Sequence, residues 1–316
     1  MEHTLQGKVI AVCTGEKLNS PKKSAGSVKV IKDFGIEGDA HAGINHRQIS
    51  IIDADEVQKV KEKYSEIEHG AFGENFIIKG VDLKKVAPGS VLTLGEEVKV
   101  EVTQIGKLCH DRCAIFVRVG ECPMSSEGVF GRVLKGGVVK PDDKVKVEKL
   151  VGKDVPQCAI VVTSDRCSKG ETIDTAGEAL KKILKENGYN VLEKMIVPDE
   201  IEAIKNALKA LSDERGADVV FTAGGTGMSP RDVTPEATKS VIEREVPGIP
   251  EAIRWASTGK TPRAILSRGI SGLRGKTLII NFPGSEKGVR ESIEIILPVL
   301  RHAIETIRGD VKDCGR

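Results

Sequence analysis

The chain has 316 residues, enough for two domains that each bury a core of their own. Its 48 Lys and Arg against 46 Asp and Glu leave a net charge of +2 with only 3% aromatics, so composition argues for neither nucleic acid nor a membrane as the main partner. Residues 1–8 lack the apolar core of a secretory signal, no later stretch approaches the roughly 18 apolar residues of a membrane span, and seven cysteines make an odd set for a disulfide framework. A soluble cytoplasmic protein with reduced thiols is expected.

Residues 1–150 carry short apolar or alternating runs separated by Gly, Pro and Asp: Lys8-Val-Ile-Ala-Val12, Val28-Lys-Val-Ile31, Gln48-Ile-Ser-Ile-Ile52, Phe76-Ile-Ile78, Val91-Leu-Thr-Leu94, Val98-Lys-Val-Glu-Val102 and Lys144-Val-Lys-Val-Glu148. That spacing predicts a mostly β domain, closed or sandwiched, with a helical pattern only over residues 53–64. Three stretches are too particular for generic turns: Phe34-Gly-Ile-Glu-Gly-Asp-Ala-His-Ala-Gly43 running into His46-Arg47-Gln48, Gly70-Ala-Phe-Gly-Glu-Asn75, and Gln104-Ile-Gly-Lys-Leu-Cys109. Asp39, His41 and His46 read either as a polar turn bonded to itself or, through His46 and Arg47, as a binder of cofactor phosphate. Cys109, His110 and Cys113, with Cys122 nearby, allow three readings: a zinc site, an inert or loosely reactive thiol group, and a sulfur or molybdenum role.

Together these three motifs resemble the MOSC domain, the module related to the C-terminal part of molybdenum cofactor sulfurases. The resemblance covers nearly all of residues 5–149. It implies a β-barrel that handles molybdenum cofactor or sulfur, with Cys109 at the functional cysteine position. Lys107 and Leu108 depart from the arginine and proline that members commonly carry there.

The linker-like Leu150-Val-Gly-Lys-Asp-Val-Pro156 separates this domain from a second, residues 156–316, with a different pattern. Cys158-Ala-Ile-Val-Val-Thr163 is a continuous apolar run, as in a strand covered on both faces. Thr175-Ala-Gly-Glu178 predicts a capping box for a helix with Leu180, Ile183 and Leu184 on one face, ended by Gly188. A strand over 190–197 follows, then a helix marked by Ile201, Ile204, Leu208 and Leu211, and a strand over 218–222. Later come a strand over 277–281 and a helix over about 287–308 that Pro298 should bend without ending. The alternation predicts an α/β three-layer domain with a mainly parallel sheet.

Ligands of such sheets bind beyond the carboxyl ends of the strands. The distinctive polar groups fall there: Ser164 and Asp165, Asp199, the stretch from Gly224 to Asp232, and Asn281-Phe-Pro-Gly-Ser285. Phe221-Thr-Ala-Gly-Gly-Thr-Gly-Met-Ser-Pro-Arg-Asp-Val-Thr-Pro-Glu-Ala-Thr238 reads as strand, glycine loop and helix start, with Thr234 as the cap and Pro235 in the first turn. Gly224, Gly225 and Gly227 would let backbone N–H groups converge on an anion, against the alternative of a tight turn, and the lysine of a Walker loop is absent. Four loops meeting at one edge favour a phosphate-bearing ligand with a divalent cation. Asp232 or Asp199 would place the cation, and Arg231 or Arg268 would offset phosphate charge or remain solvated. Thr226, Ser267 and Ser285 are candidate hydroxyl contacts; Asp174 suits either substrate or a helix N-terminus.

These residues, with Asp174-Thr-Ala-Gly177, Val197-Pro-Asp-Glu200 and Pro262-Arg-Ala-Ile-Leu-Ser-Arg268, resemble the molybdopterin adenylyltransferase family, which includes the gephyrin G domain and the adenylyltransferase domain of the plant molybdenum-insertion protein. The match spans about residues 155–309. It implies transfer of AMP from ATP to molybdopterin with Mg²⁺, and the matching positions make Asp199 and Asp232 the two essential aspartates. The resemblance also implies a homotrimer, and nucleotide or substrate contacts are expected from the loops at Ser164, Asp165, Asp174, Gly224, Gly225, Thr226, Gly227, Arg231, Ser267, Asn281, Pro283, Gly284 and Ser285. A molybdenum-inserting protein and molybdoenzymes are the protein partners implied. The alternative is a non-catalytic carrier of molybdopterin or molybdenum cofactor.

Overall fold

The computed structural model describes residues 5–18, 20–43, 46–107, 116, 120 and 122–310. The chain divides into two compact units, residues 1–154 and 155–316.

In the first unit, β1 (Gln6–Thr14), β2 (Lys23–Ala25), β5 (Ile49–Asp53), β6 (Phe76–Lys79), β7 (Val91–Leu94), β8 (Val98–Ile105), β9 (Val129–Lys135) and β11 (Lys144–Lys149) form an eight-stranded sheet in the order β11-β7-β8-β9-β5-β6-β1-β2. Antiparallel pairing of β1 with β11, Gln6 opposite Lys146, closes it into a barrel. Alternation explains the closure. Val98, Val100 and Val102 point inward between the partly exposed Lys99 and Glu101, and Val145 and Val147 point inward between the exposed Lys144, Lys146 and Glu148. They meet Val9, Ile49, Ile51, Phe76, Ile78, Leu92 and Leu94 in one apolar interior. A small sheet of β3 (Val28–Ile31), β4 (Gly35–Ile36) and β10 (Gly137–Val139) is added. The helix Ala54–Lys63 lies one residue inside each end of the expected 53–64 pattern, with Asp53 as its cap, Oδ1 accepting from the Asp55 N–H at 2.7 Å.

β9 lies in the middle of the barrel sheet, yet its glycine makes it an unobvious strand. Gly131 is required there: a Cβ would stand 2.3 Å from Val100 Cγ1 and 2.8 Å from the Glu101 carbonyl, at the point where the β8–β9 register shifts.

The second unit is a mixed sheet, β13 (Asn190–Val197), β12 (Gln157–Thr163), β14 (Val219–Ala223), β17 (Thr277–Phe282), β16 (Ser271–Arg274) and β15 (Arg244–Glu245), in that order. The first four run parallel; β16 and β15 are antiparallel at one edge. β12 is buried at every residue because helices cover both faces. Ile160 and Val162 pack under the helices Thr175–Glu186, Gly248–Thr258 and Glu286–Arg308, while Ala159 and Val161 pack under Ile201–Lys209 and Thr234–Lys239. The last helix passes through Pro298, which is exposed, because Ile293, Ile296, Leu300 and Ile304 keep one face in the core.

Two helix starts differ from the sequence reading by one residue. Asp174, not Thr175, caps its helix, Oδ1 accepting from the Gly177 N–H at 2.7 Å. Thr234 is the first residue of its helix, after Val233, because its hydroxyl is turned inward onto Thr163 Oγ1 at 3.1 Å. Ile201 is also more exposed, at 40%, than its place in the apolar stripe suggested; it opens its helix, beyond the part that Ile204 and Leu208 bury.

Candidate functional site

β12, β13, β14 and β17 end at one edge of the second unit. At the end of β14 the chain enters Gly224 with φ +118° and Gly225 with φ +61°, both in the region that side chains avoid. Space demands glycine as well. A Cβ on Gly224 would stand 2.3 Å from the Thr163 carbonyl, and one on Gly225 2.3 Å from Thr234 Oγ1 and 3.3 Å from Asp199 Oδ1. The loop is closed by the Gly224 N–H to the Phe282 carbonyl (3.2 Å) and the Thr234 N–H to the Gly225 carbonyl (3.1 Å). Gly284 crosses it so tightly that a Cβ there would be 3.1 Å from Gly224 Cα. Gly225→Ala is therefore expected to destabilise the second unit by about 1–2 kcal/mol, from backbone strain and displacement of Thr234. Unchanged hydrogen exchange over β12 and β14 would show that the loop tolerates a side chain.

Asp165 and Asp199 face each other from the ends of β12 and β13. The Asp165 N–H donates to Asp199 Oδ2 (2.9 Å) and the Asp199 N–H to Asp165 Oδ1 (3.1 Å). Arg231, reaching over from the glycine loop, donates from Nε and Nη2 to Asp165 Oδ2. That pairing holds the Asp165 carboxyl below its ordinary range. Asp199 moves the other way: burial pushes its carboxyl up, the neighbouring Asp165 and Asp232 charges add to this, and the Asp165 N–H and Arg231 only partly oppose it. Asp232 Oδ2 accepts from the Ser229 N–H at 2.9 Å, closing a turn whose other bond joins the Asp232 N–H to the Ser229 carbonyl at 2.9 Å.

Several expected contact residues are engaged within the fold. Asn281 is 4% exposed, and its amide bonds Thr222 Oγ1 (3.0 Å), Thr238 Oγ1 (2.9 Å) and the Ile270 N–H (3.2 Å), tying the sheet to a helix. Asp174 combines its cap with an ion pair to Lys194 at 2.5 Å. Ser164 Oγ caps the short helix Asp165–Ser168, and Ser285 Oγ caps Glu286–Arg308 by accepting from the Gly288 N–H at 3.1 Å. Ser267 Oγ accepts from the Gly269 N–H at 3.3 Å. Thr226 is buried, its carbonyl bonded to the Arg268 N–H at 2.9 Å, while Pro283 is half-buried. Arg268, read from sequence as a charge for phosphate or a solvated side chain, instead grips the loop itself: Nε donates to the Gly227 carbonyl at 2.6 Å, Nη2 to that of Asp232, and Nη1 to Glu236.

Among the described residues no three His, Cys, Asp or Glu side chains converge into a metal cage. Asp199 and Asp232 nevertheless suit Mg²⁺. Each has one carboxylate oxygen on a backbone N–H and the other without a hydrogen bond among the described residues, and Mg²⁺ commonly binds one or two carboxylates plus substrate phosphates and water.

In the first unit the motif residues surround a buried ion pair. Lys22 Nζ lies 3.0 Å from Asp39 Oδ1 and 2.9 Å from Oδ2, with side chains 3% and 0% exposed. Asp39 also accepts from the Gly15 N–H (3.2 Å), the His41 N–H (3.0 Å) and Asn75 Nδ2 (3.0 Å). Burial opposes its charge, but His41 and Lys22 outweigh burial and hold the carboxyl far below its usual range; burial also lowers the Lys22 ammonium. Glu74, wholly buried, takes the Gly70 N–H (2.6 Å) and the Phe72 N–H (3.0 Å). His46 Nε2 and Arg47 Nε meet on Gln104 Oε1 at 3.0 and 2.9 Å, an arrangement the sequence reading missed although Gln104 opens its third motif. Cys109, His110 and Cys113, and with them the zinc, thiol and sulfur readings, lie outside the described residues. No helix of the described residues is long and apolar enough to cross a membrane.

The chain thus joins a closed β-barrel to an α/β unit whose polar loops gather at the carboxyl ends of a parallel sheet. The family model described as a probable molybdopterin binding domain matches residues 159–302, and the MOSC domain model matches residues 38–146. The molybdopterin adenylyltransferase of Helicobacter pylori J99 is 42% identical over 153 residues, 48% of this chain and 87% of that protein. That of Escherichia coli K12 is 41% identical over 137 residues, 43% and 70% of the two chains. The molybdenum cofactor biosynthesis bifunctional protein of Chlorobaculum tepidum is 31% identical over 180 residues, 57% of each. The chain belongs to the molybdopterin adenylyltransferase family, fused to a MOSC domain.

Proposed function

We propose that the second unit transfers AMP from ATP to the terminal phosphate of molybdopterin, a step in molybdenum cofactor biosynthesis. The observation that carries this reading is the glycine loop at Gly224–Gly225, where Asp199 Oδ1 lies within 3.3 Å of the place a Gly225 Cβ would take and Asp232 is held at the loop's far end. An oxygen of the molybdopterin phosphate attacks the α-phosphorus of ATP, the bond to the β-phosphate oxygen breaks, and pyrophosphate leaves. No protein nucleophile is needed, so positioning and charge compensation dominate. Backbone N–H groups around Gly225 and Gly227, the Gly224 N–H being engaged on the Phe282 carbonyl, would hold phosphate, Asp199 and Asp232 would hold Mg²⁺, and Arg231, exposed and bonded to Asp165, would meet negative charge. Mg²⁺, when bound, neutralises phosphate charge.

The first unit in this reading handles the molybdenum cofactor or sulfur at Cys109, with His46 and Arg47 as phosphate contacts on the Gln104 side chain. The homotrimer belongs to the same reading. Trp255, 82% exposed, with Ile265 and Leu266 offers apolar surface for further copies of the chain. A molybdenum-inserting protein and molybdoenzymes would receive the product.

The test is pyrophosphate release by the purified full chain. It should require molybdopterin, ATP and Mg²⁺ together. Tight molybdopterin binding without release would make the unit a carrier instead.

A further inference from the structure

Resting on the adenylyl-transfer reading above, we propose that Arg268 is a positioning residue: one guanidinium clamps both ends of the turn that presents Asp232, and so sets where that carboxylate stands against the reacting phosphates.

The clamp has four points. The Arg268 backbone N–H donates to the Thr226 carbonyl at 2.9 Å. Its side chain donates from Nε to the Gly227 carbonyl at 2.6 Å, from Nη2 to the Asp232 carbonyl, and from Nη1 to Glu236 Oε1. Residues 227 and 232 bracket the segment in which Asp232 closes on Ser229 through both its N–H and its carboxylate. The carboxylate also crosses Gly227, where a Cβ would stand 2.9 Å from Asp232 Oδ2. Gripping carbonyls 227 and 232 with one rigid planar group therefore fixes the crossing.

Glu236 holds the far side of the guanidinium from the helix Thr234–Lys239, which begins two residues after Asp232. Burial tends to raise its carboxyl, but the Arg268 bond prevails and holds it below the ordinary range. Arginine is required because its fork reaches two carbonyls and a carboxylate at once, whereas a lysine ammonium is a single point of charge. With its donors engaged on the loop and Glu236, Arg268 acts through Asp232 and not by touching substrate.

The experiment compares full-length wild type with Arg268→Lys, Arg268→Ala and Glu236→Gln. Pyrophosphate release is measured against ATP, molybdopterin and Mg²⁺, and amide hydrogen exchange is followed over residues 226–232. Displacement of a reacting group by about 1 Å costs on the order of 10²-fold, so kcat should fall about 100-fold in both Arg268 variants, with KM for either substrate within about threefold. Lysine should rescue nothing, half-saturating Mg²⁺ should rise, loop exchange should accelerate, and Glu236→Gln should show the same pattern at about a tenth of the size. Near-normal kcat in Arg268→Lys, or a loss confined to KM, would mean direct contact with substrate phosphate and would overturn the clamp. If the Arg268 variants fail to fold, unchanged kcat and exchange in Glu236→Gln overturn it equally. A folded wild type that releases no pyrophosphate sinks the adenylyl-transfer reading, while exchange in the variants still decides whether Arg268 clamps the turn.

Discussion

Asp232→Asn and Asp199→Asn are each expected to lower turnover by roughly 10²-fold or more while leaving molybdopterin affinity within about threefold. Asparagine is the informative replacement because both aspartates already use one oxygen as a backbone acceptor, Asp199 for the Asp165 N–H and Asp232 for the Ser229 N–H. An amide oxygen can keep those bonds, so the change removes charge and metal affinity without opening the loop. At Mg²⁺ well below saturation the wild-type acid limb should lie above the ordinary aspartate value of about 3.9, since burial raises the Asp199 carboxyl and in the proposed mechanism its ionised form is the one that would hold Mg²⁺. In Asp199→Asn the residual activity should lose that limb. Steady-state pyrophosphate release across pH, with separate molybdopterin titrations, checks both points. Undiminished turnover in the two variants would remove both aspartates from the chemistry.

Lys22→Met should destabilise the first unit by about 3–5 kcal/mol, because it strands Asp39 in a site where its side chain is 0% exposed. The remaining partners, the N–H groups of Gly15 and His41, the Asn75 amide, and the Thr14 hydroxyl and His41 imidazole at 3.4 Å, do not replace the fixed ammonium charge. Adding Asp39→Asn to the same chain should recover part of the loss, since the orphaned charge goes with it. The pH dependence follows from the depressed Asp39 value. Between the folded and the ordinary carboxylate values the unfolded chain binds the proton and the folded chain does not, so this contribution is present above about pH 4 and is lost as pH falls. Hydrogen exchange over β1, β5 and β6 reads the first unit within the intact chain, where a single thermal midpoint would mix two units. A loss under about 1 kcal/mol in Lys22→Met would show that the pair is not held as a buried charge pair.

Local periodicity carried most of the elements. Val98, Val100 and Val102 alternate with polar neighbours because one face of a barrel strand is dry, and β12 is apolar throughout because both faces are covered. The glycine loop was legible as a special turn: Gly224 and Gly225 stand where side chains strain the backbone, and Gly227 leaves room for the Asp232 carboxylate. β9 was not legible, because Gly131 interrupts its pattern for the sake of Val100 on another strand. For Asp174, readable either as a substrate contact or as a helix N-terminus, the structure shows the cap, and Asn281, expected among the ligand contacts, bridges a sheet strand and a helix.

The sequence by itself determined the two-part plan and gathered Ser164, Asp165, Asp199, the glycine loop and Ser285 at the carboxyl ends of parallel strands, because those outcomes depend on burial patterns within a few residues. Only the tertiary structure decided the pairings: Arg231 with Asp165 at 66 residues' separation, Asp165 with Asp199 at 34, Arg268 with Gly227 at 41, and Lys22 with Asp39 deep in the first unit. A charged side chain looks the same in the sequence whether it faces water, a phosphate or a carbonyl. Which of these it meets depends on where the rest of the chain places a partner within about 3 Å, and that distance is set by packing across the whole unit.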